Sequence, residues 1–571
     1  MESFSIKNIK SFKDEAEIQI KPITIFVGKN SCGKSSLIRF PVVLSQTISY
    51  NAATPLKFYG RLIDYGNYED VVFNHQKEPI EFSIGMQMDI SNRIQNIVEE
   101  IDEHGFEKYK PVVKCVENRI TINKHEDKLF VEKNVLWIDG KNCYEVFRQD
   151  SHWYAKVHYA YDISKDAFSP CEYEVPINDV KEKCFFTCFD SKMYDGFVLN
   201  ALFEDLSPSE LMVENDVFPG MTILDYYDLP FAIRKDYQEV GKSEEEKNRE
   251  EKRRKQLEKE KEDSKKLLYK YEKFCEKHDL KKIIENIELP EFDYDGVHKA
   301  VLPDSDRVKE YVYVALQFKF YEEVAQRFML NAQSDIGNIS YIGPFRNNPE
   351  RLYRDEEIRP RQVGVKGENS STVLIRDYQS KKIIISDISE WLRRTMGYSL
   401  VVDELASGMF RILLEDEQGI MSNIMDVGYG VSQILPILIQ VLKESPDDSD
   451  YIYSHKPNDI LIVEQPELHL HPAAQSELAD LFVTGALLGN KKMLIETHSE
   501  HLIRKLQVLI SDPNCELTCD DVAIYYVDKC DDGSAIVNHL KILPNGKFEK
   551  KWPSGFFDKA HELSMELLKN Q

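Results

Sequence analysis

The sequence is short of several things, and each shortage narrows what it can be. No run approaches the roughly 18 or more consecutive apolar residues of a membrane-spanning helix. The start, Met1-Glu2-Ser3-Phe4-Ser5-Ile6-Lys7, lacks the basic-then-apolar layout of a secretion signal. Ten cysteines are scattered without a disulfide framework. Cys184 and Cys188 make one C-x3-C pair and Cys515 and Cys519 another, but neither has the neighbouring ligands of a zinc site. Reduced structural thiols in a cytoplasmic protein, with no membrane partner, are the reading. Positive charge is scarce too: 73 Lys and Arg against 98 Asp and Glu leave a net charge of −25. So acidic a surface argues against nonspecific adhesion to DNA or an anionic membrane, though a local basic stripe could survive within it.

What is present suits a large folded protein. A hydrophobic fraction of 42% with 11% aromatic residues excludes a wholly disordered chain. At 571 residues the chain exceeds one ordinary core of roughly 100–200 residues and calls for two or more lobes, or one large domain with insertions.

Residues 3–28 alternate in strand fashion and end in Ile23-Thr24-Ile25-Phe26-Val27, a short β-branched run that reads as a buried strand. It stops at Gly28, and a helical pattern begins near Lys34. From about 80 to 230, apolar runs such as Val135-Leu136-Trp137-Ile138 and Phe197-Val198-Leu199 alternate with turn residues, as in a mixed sheet. Ser243 to Lys266 is almost all Glu, Lys and Arg, then gains a stripe at Leu267, Tyr271, Phe274, Ile283 and Ile287. That is a protruding helix or short coiled-coil arm, with a charged linker as the alternative. A second helix spans roughly Asp306 to Leu330, and a helical tail is expected at about 558–569.

The chemistry begins at Gly28-Lys29-Asn30-Ser31-Cys32-Gly33-Lys34-Ser35, followed by Ser36, which fits G-x-x-x-x-G-K-[ST] at every fixed position. In such a loop backbone N–H groups curl around phosphates, Lys34 reaches the β- and γ-phosphates, and Ser35 ligates Mg²⁺. Ile460-Leu461-Ile462-Val463-Glu464 is a buried strand ending in a carboxylate, where a partner for that Mg²⁺ is needed. It runs into Gln465-Pro466-Glu467-Leu468-His469-Leu470-His471-Pro472. A third strand, Met493-Leu494-Ile495, leads into Glu496-Thr497-His498-Ser499, where the His498 imidazole could contact a γ-phosphate.

In this order the segments resemble the ABC-type ATPase heads of the SMC, RecF and OLD group, and within it the stand-alone AAA-type ATPases of prokaryotic defence islands. Supporting segments are Leu62-Ile63-Asp64-Tyr65-Gly66, Tyr341-Ile342-Gly343-Pro344-Phe345-Arg346, Val363 to Glu368, and Trp552 to Asp558. The resemblance implies an α/β fold. Its P-loop ABC-type head, a mixed central sheet with flanking helices, is discontinuous over 1–80 and 335–571. An α+β insertion occupies 81–240 and a helical or short coiled-coil arm 241–334. It also implies two heads closing around two ATPs with Mg²⁺, each nucleotide held by one subunit's phosphate loop and the other's signature segment. The signature candidate is Asp426-Val427-Gly428-Tyr429-Gly430-Val431-Ser432-Gln433, with Gly428, Gly430 and Ser432 as alternative ligand-facing residues.

One departure from that group bears on rate. The residue after the Mg²⁺-linked acid is usually the glutamate that orients the attacking water, and here it is Gln465. An amide can position water but cannot accept its proton. Either Glu467 takes the role, or hydrolysis is slow and the closed ATP-bound dimer long-lived, which suits a switch. No segment supplies the Toprim nuclease that some OLD relatives carry. Asp528, Asp531 and Asp532 sit in a turn-like acidic cluster that reads as solvated rather than metal-binding. The function expected is a slow ATPase of antiphage defence, a homodimer or higher homo-oligomer that senses or scaffolds for an effector protein, a nuclease or toxin. An SMC-like clamp on DNA is the alternative.

Overall fold

The computed structural model describes residues 1–49, 54–90, 112–188, 292–300, 306–443, 458–550, Trp552 and Glu566, apart from single positions and short stretches within those ranges. The Phe197-Val198-Leu199 run, the charged arm with its apolar stripe over 243–287, and nearly all of the expected tail at 558–569 lie outside the described residues.

The chain opens with β1 (Ser3–Lys7), β2 (Ala16–Gln19) and the wholly buried β3 (Ile23–Gly28). After the phosphate-type loop come α1 (Lys34–Ile38) and α2 (Phe40–Ser49), separated at Arg39. Pro41, which has no amide hydrogen to give, marks the interruption. Then follow β4 (Ile80–Asp89), β5 (Val113–His125), β6 (Lys128–Ile138), β7 (Lys141–Gln149), β8 (His152–Asp162) and β9 (Ala167–Ile177). The long α3 (Asp306–Gly337) leads to β10 (Ser340–Ile342), α4 (Ser370–Ser380), α5 (Ile384–Met396), β11 (Tyr398–Glu404) and β12 (Met409–Asp416). The remainder is α6 (Tyr429–Leu442), β13 (Asp459–Glu464), α7 (Pro472–Leu487), β14 (Lys491–Glu496), α8 (Glu500–Ser511), β15 (Val522–Lys529) and β16 (Ala535–His539).

Two sheets organise the described residues. The central sheet runs β10-β13-β14-β3-β15-β16, parallel throughout except for β16. Its parallel strands are buried on both faces, which is why they read as continuous apolar runs, while the antiparallel edge strand β16 is largely exposed. Alternate side chains serve two cores: Phe26, Ile460, Ile462 and Leu494 enter one, while Ile25, Val27, Leu461, Val463 and Ile495 enter the other. The second sheet is antiparallel in the order β2-β1-β4-β5-β6-β7-β8-β9. It therefore crosses the boundary expected at residue 80, because β4 pairs with β1 in the register Phe4↔Ile84. Alternation in residues 3–20 announces strands but carries no record of their partners.

Helix α3 anchors the second sheet to the rest. The Gln317 side-chain amide bridges the backbone of Tyr161, accepting its N–H at 2.8 Å and donating to its carbonyl at 3.2 Å. Tyr321 stacks on Tyr144 with ring centroids 5.7 Å apart. The described part of the insertion is thus a β-meander backed by one helix. Among the described residues no helix is long and apolar enough to cross a membrane.

Candidate functional site

The site lies where β3, β13 and β14 end side by side. Gly28 has φ +146°, and a Cβ there would lie 2.1 Å from the Val527 carbonyl oxygen, so only glycine fits beside β15. Gly33 takes φ +103° and Ser31 +59°, the left-handed turns that curl the loop. Lys29, Asn30 and Ser31 are exposed, while Cys32 and Lys34 are buried. The Lys34 ammonium donates to the carbonyls of Gly28 at 3.0 Å and Lys29 at 2.7 Å, and the Cys32 thiol donates to the same Lys29 carbonyl. The Ser36 carbonyl accepts the Tyr65 hydroxyl. Of the nine residues named in this segment, Gly28 closes β3, residues 29–33 form the turn, and Lys34, Ser35 and Ser36 open α1.

Glu464 and Glu496 close the two neighbouring strands, paired in register. The Ser35 hydroxyl donates to Glu496, 2.8 Å from Oε2 and 3.1 Å from Oε1. Strand order places that carboxylate there. β14 is the direct neighbour of β3 and β13 stands one strand further out, so the β14 carboxylate is the one beside the loop. Glu464 is instead gripped by Arg39, Nε to Oε1 at 2.5 Å and Nη2 to Oε2 at 2.6 Å. The Tyr341 hydroxyl adds a third bond, to Oε1 at 2.7 Å. Burial alone would lower the Arg39 pKa, but its bonds to Glu464 hold it above the ordinary value. Burial, with the Glu464 charge second, raises the Tyr341 hydroxyl and pushes Glu496 up to about 7.

Gln465 and Glu467 follow. Gln465 sits at φ +46°, uncommon for a non-glycine residue. Its backbone is fixed at both ends: its N–H donates to the Glu496 carbonyl at 2.7 Å, and its carbonyl accepts Arg346 Nη1 at 3.0 Å. Arg346 is buried, its Nη2 donates to the Glu464 carbonyl at 2.6 Å, and burial lowers its pKa to about 10. Glu467 is buried with both oxygens engaged, accepting the Thr497 hydroxyl at 2.9 Å and the His498 N–H at 2.6 Å. Burial raises its pKa. The His498 ring is half-buried, and burial and then Lys34 lower its pKa, favouring the neutral imidazole.

The signature candidate caps α6. A Cβ on Gly430 would come 3.0 Å from the His469 carbonyl oxygen, so this glycine is needed for packing. The Ser432 hydroxyl bonds back to the Tyr429 carbonyl at 2.9 Å. Gly428, the N-cap, meets nothing within 4 Å and is the open one of the three. Tyr429, Gly428, His469, His471, Met396 and Tyr398 help line a cleft of about 630 Å³. At the other end of α6, the buried Lys491 ammonium donates to the carbonyls of Gln440, Val441 and Lys443. One strand, β14, therefore ties the signature helix at its start and the phosphate loop at its end.

Arg39, Glu496 and Thr497 were missed as site residues, and Tyr341 and Arg346 carried no role. The signal lay in the Glu of Glu496-Thr497-His498, a carboxylate closing an otherwise apolar strand. The loop and its oxygen donors fit a nucleotide with a hard divalent cation such as Mg²⁺. Among the described residues no group of three or more His, Cys, Asp and Glu could hold a metal. Ser35 and one carboxylate, completed by phosphate oxygens and water, are the donor set Mg²⁺ prefers. The cation would supply charge neutralisation at the β- and γ-phosphates. In the acidic turn, Asp532 accepts the N–H and hydroxyl of Ser534, a local turn contact.

Residues 1–503 match the profile of the AAA ATPase domain family, and residues 517–567 match one described as a protein of unknown function (DUF3696). No curated protein matches the chain. Among solved structures, the Smc head domain of Pyrococcus furiosus, with an extended coiled coil and bound to the C-terminal domain of ScpA, is 14% identical. It covers 100% of this chain and 98% of its own at a TM-score of 0.32. The SMC head domain of Thermotoga maritima is 8% identical over 95% of this chain and 99% of its own, TM-score 0.31. The Smc head domain of Pyrococcus yayanosii, with a coiled coil and joint, is 12% identical over 99% of each chain, TM-score 0.32. Likeness at this level bears on no functional statement.

Proposed function

The chain belongs to the AAA ATPase domain family and is an ATPase, and from that premise we propose that it is a slow, ATP-gated switch. The observation that carries this reading is that the carboxylates of Glu464, Glu467 and Glu496 are each engaged by protein donors. Glu464 is bound by Arg39 and Tyr341, Glu467 by Thr497 and His498, and Glu496 by Ser35. The residue at the water-orienting position is an amide that cannot take a proton. Missing a general base forfeits about 10²–10⁴ in rate, so ATP stays bound long enough to hold a state.

In this reading Lys34 and the loop amides hold the ATP phosphates, Ser35 shares Mg²⁺, and His498 approaches the γ-phosphate. Gly428 of a second copy completes the pocket. Support for a second copy comes from the ten residues around the signature, where Ile420 is 60%, Met421 49%, Met425 52% and Tyr429 61% exposed. Four exposed apolar side chains within ten residues of an acidic chain favour a face that is covered in an assembly. The closed form would then present or restrain a partner effector in antiphage defence. Net charge of −25 weighs against a DNA clamp.

Sedimentation of the purified chain with ATP, with ADP and without nucleotide tests this. ATP alone should shift it to a dimer or larger, and Lys34→Ala should abolish the shift. A mass that ignores ATP would refute the gated assembly. DNA binding that fades steeply with salt would favour the clamp.

A further inference from the structure

We infer that Arg346 is a positioning residue for hydrolysis: its guanidinium fork holds the backbone of Gln465 so that the side-chain amide stays set for the attacking water. This rests on the reading above of Gln465 as the water-orienting residue. Strand β13 ends at Glu464, and Gln465 turns out of it at φ +46°. A non-glycine residue holds that conformation only when its surroundings fix it. Along a strand successive carbonyls point to opposite sides, but here the turn brings two consecutive ones onto a single side chain. Arg346 Nη2 donates to the Glu464 carbonyl at 2.6 Å and Nη1 to the Gln465 carbonyl at 3.0 Å. The Leu468 N–H reaches that second carbonyl at 3.4 Å, a long bond beside the arginine's. A planar fork fixes the angle between two acceptors as well as their distance.

Arg346 is itself held in place. β10 lies parallel beside β13, with Ile342 opposite Val463, so the loop after β10 emerges at the same end as Gln465. The Gly343 N–H donates to the Val365 carbonyl at 2.8 Å and the Asn347 N–H to the Lys366 carbonyl at 2.8 Å, which pins this loop on both sides of Arg346. The residue is 7% exposed. Glu467 and Glu464 lie near enough to oppose its charge, yet its hydrogen bonds go to the two main-chain carbonyls, and its buried Nε makes none among the described residues. Burying a guanidinium in this way is costly. What it secures is the geometry of the turn at Gln465.

The test is single-turnover hydrolysis of ATP, with binding of a fluorescent ATP analogue and urea denaturation measured on the same proteins. Arg346→Met removes both fork and charge, whereas Arg346→Lys keeps the charge but cannot hold two carbonyls at a fixed angle. Arg346→Met should slow the single turnover by about 10–100-fold, with analogue affinity within about twofold of wild type. Arg346→Lys should stay at least about fivefold slow, and it carries the test if the methionine variant fails to fold. In a Gln465→Ala chain, itself slower than wild type, neither substitution should slow hydrolysis further, because the residue being positioned is gone. Full rate in Arg346→Lys would make the charge sufficient and overturn the assignment. Losses that multiply with Gln465→Ala, or analogue affinity that falls in step with the rate, would overturn it too. A Gln465→Ala chain as fast as wild type would instead remove the water-orienting reading of Gln465, and the role of Arg346 with it.

Discussion

The Glu467 carboxylate accepts the His498 backbone N–H at 2.6 Å and, through its other oxygen, the Thr497 hydroxyl at 2.9 Å. Two loops at the ends of adjacent strands are thereby joined by one buried side chain. This glutamate, weighed as an alternative general base, thus braces the backbone of the histidine.

Removing the brace should be felt in both stability and rate. Glu467→Ala strands a buried hydroxyl and a buried amide, which costs about 2–3 kcal/mol. A displaced His498 lowers turnover by on the order of 100-fold if its position shifts by about an ångström. Urea denaturation alongside ATP turnover checks this. Glu467→Gln, which keeps one acceptor oxygen, should fall between the two. Full turnover in a stably folded Glu467→Ala would show that the brace does nothing for catalysis.

The glycines of the signature candidate should separate cleanly. Gly430→Ala pushes its methyl to 3.0 Å from the His469 carbonyl oxygen and should destabilise the fold by about 1–3 kcal/mol. Gly428→Ala meets nothing within 4 Å and should leave stability within about 0.5 kcal/mol. It should nevertheless weaken ATP-dependent association, read by sedimentation. A Gly428→Ala chain that associates like wild type would move the contact elsewhere.

Glu496 gives the protein a pH dependence with a definite sign. Its carboxyl is held at about 7 when folded, by burial first and the Glu464 charge second, against about 4.3 in an unfolded chain. The folded state therefore binds more protons between those values. Stability is fullest below about pH 4.3 for this group, falls as pH rises to 7, and is level above, a loss of about 3–4 kcal/mol. Thermal melting of wild type and Glu496→Gln across pH 5–8 should show the slope in the first and a flatter line in the second. Equal slopes would assign the pH dependence to other groups.

Much of this was legible in the sequence for reasons that are local. Ile23–Gly28, Asp459–Glu464 and Lys491–Glu496 read as buried strands because a parallel sheet covered on both faces leaves no polar alternation, and the glycine spacing of the loop needs no tertiary information. What could not be read is which carboxylate serves which partner. Arg39 and Tyr341 lie 425 and 123 positions from Glu464, and strand order, which puts β14 next to β3, is a property of the fold. Likewise residues 3–19 were legible as strands, but not as members of a sheet shared with residues 80–177.

We propose that Gln465 keeps hydrolysis slow, and single-turnover hydrolysis of ATP by wild type, Lys34→Ala and Gln465→Glu decides the point. Wild type should turn over slowly, Lys34→Ala not at all, and Gln465→Glu at least about tenfold faster, by restoring a group that accepts the proton. Brisk wild-type hydrolysis that Gln465→Glu leaves unchanged, and that collapses in Glu467→Ala, would contradict the account and make the protein a cycling enzyme.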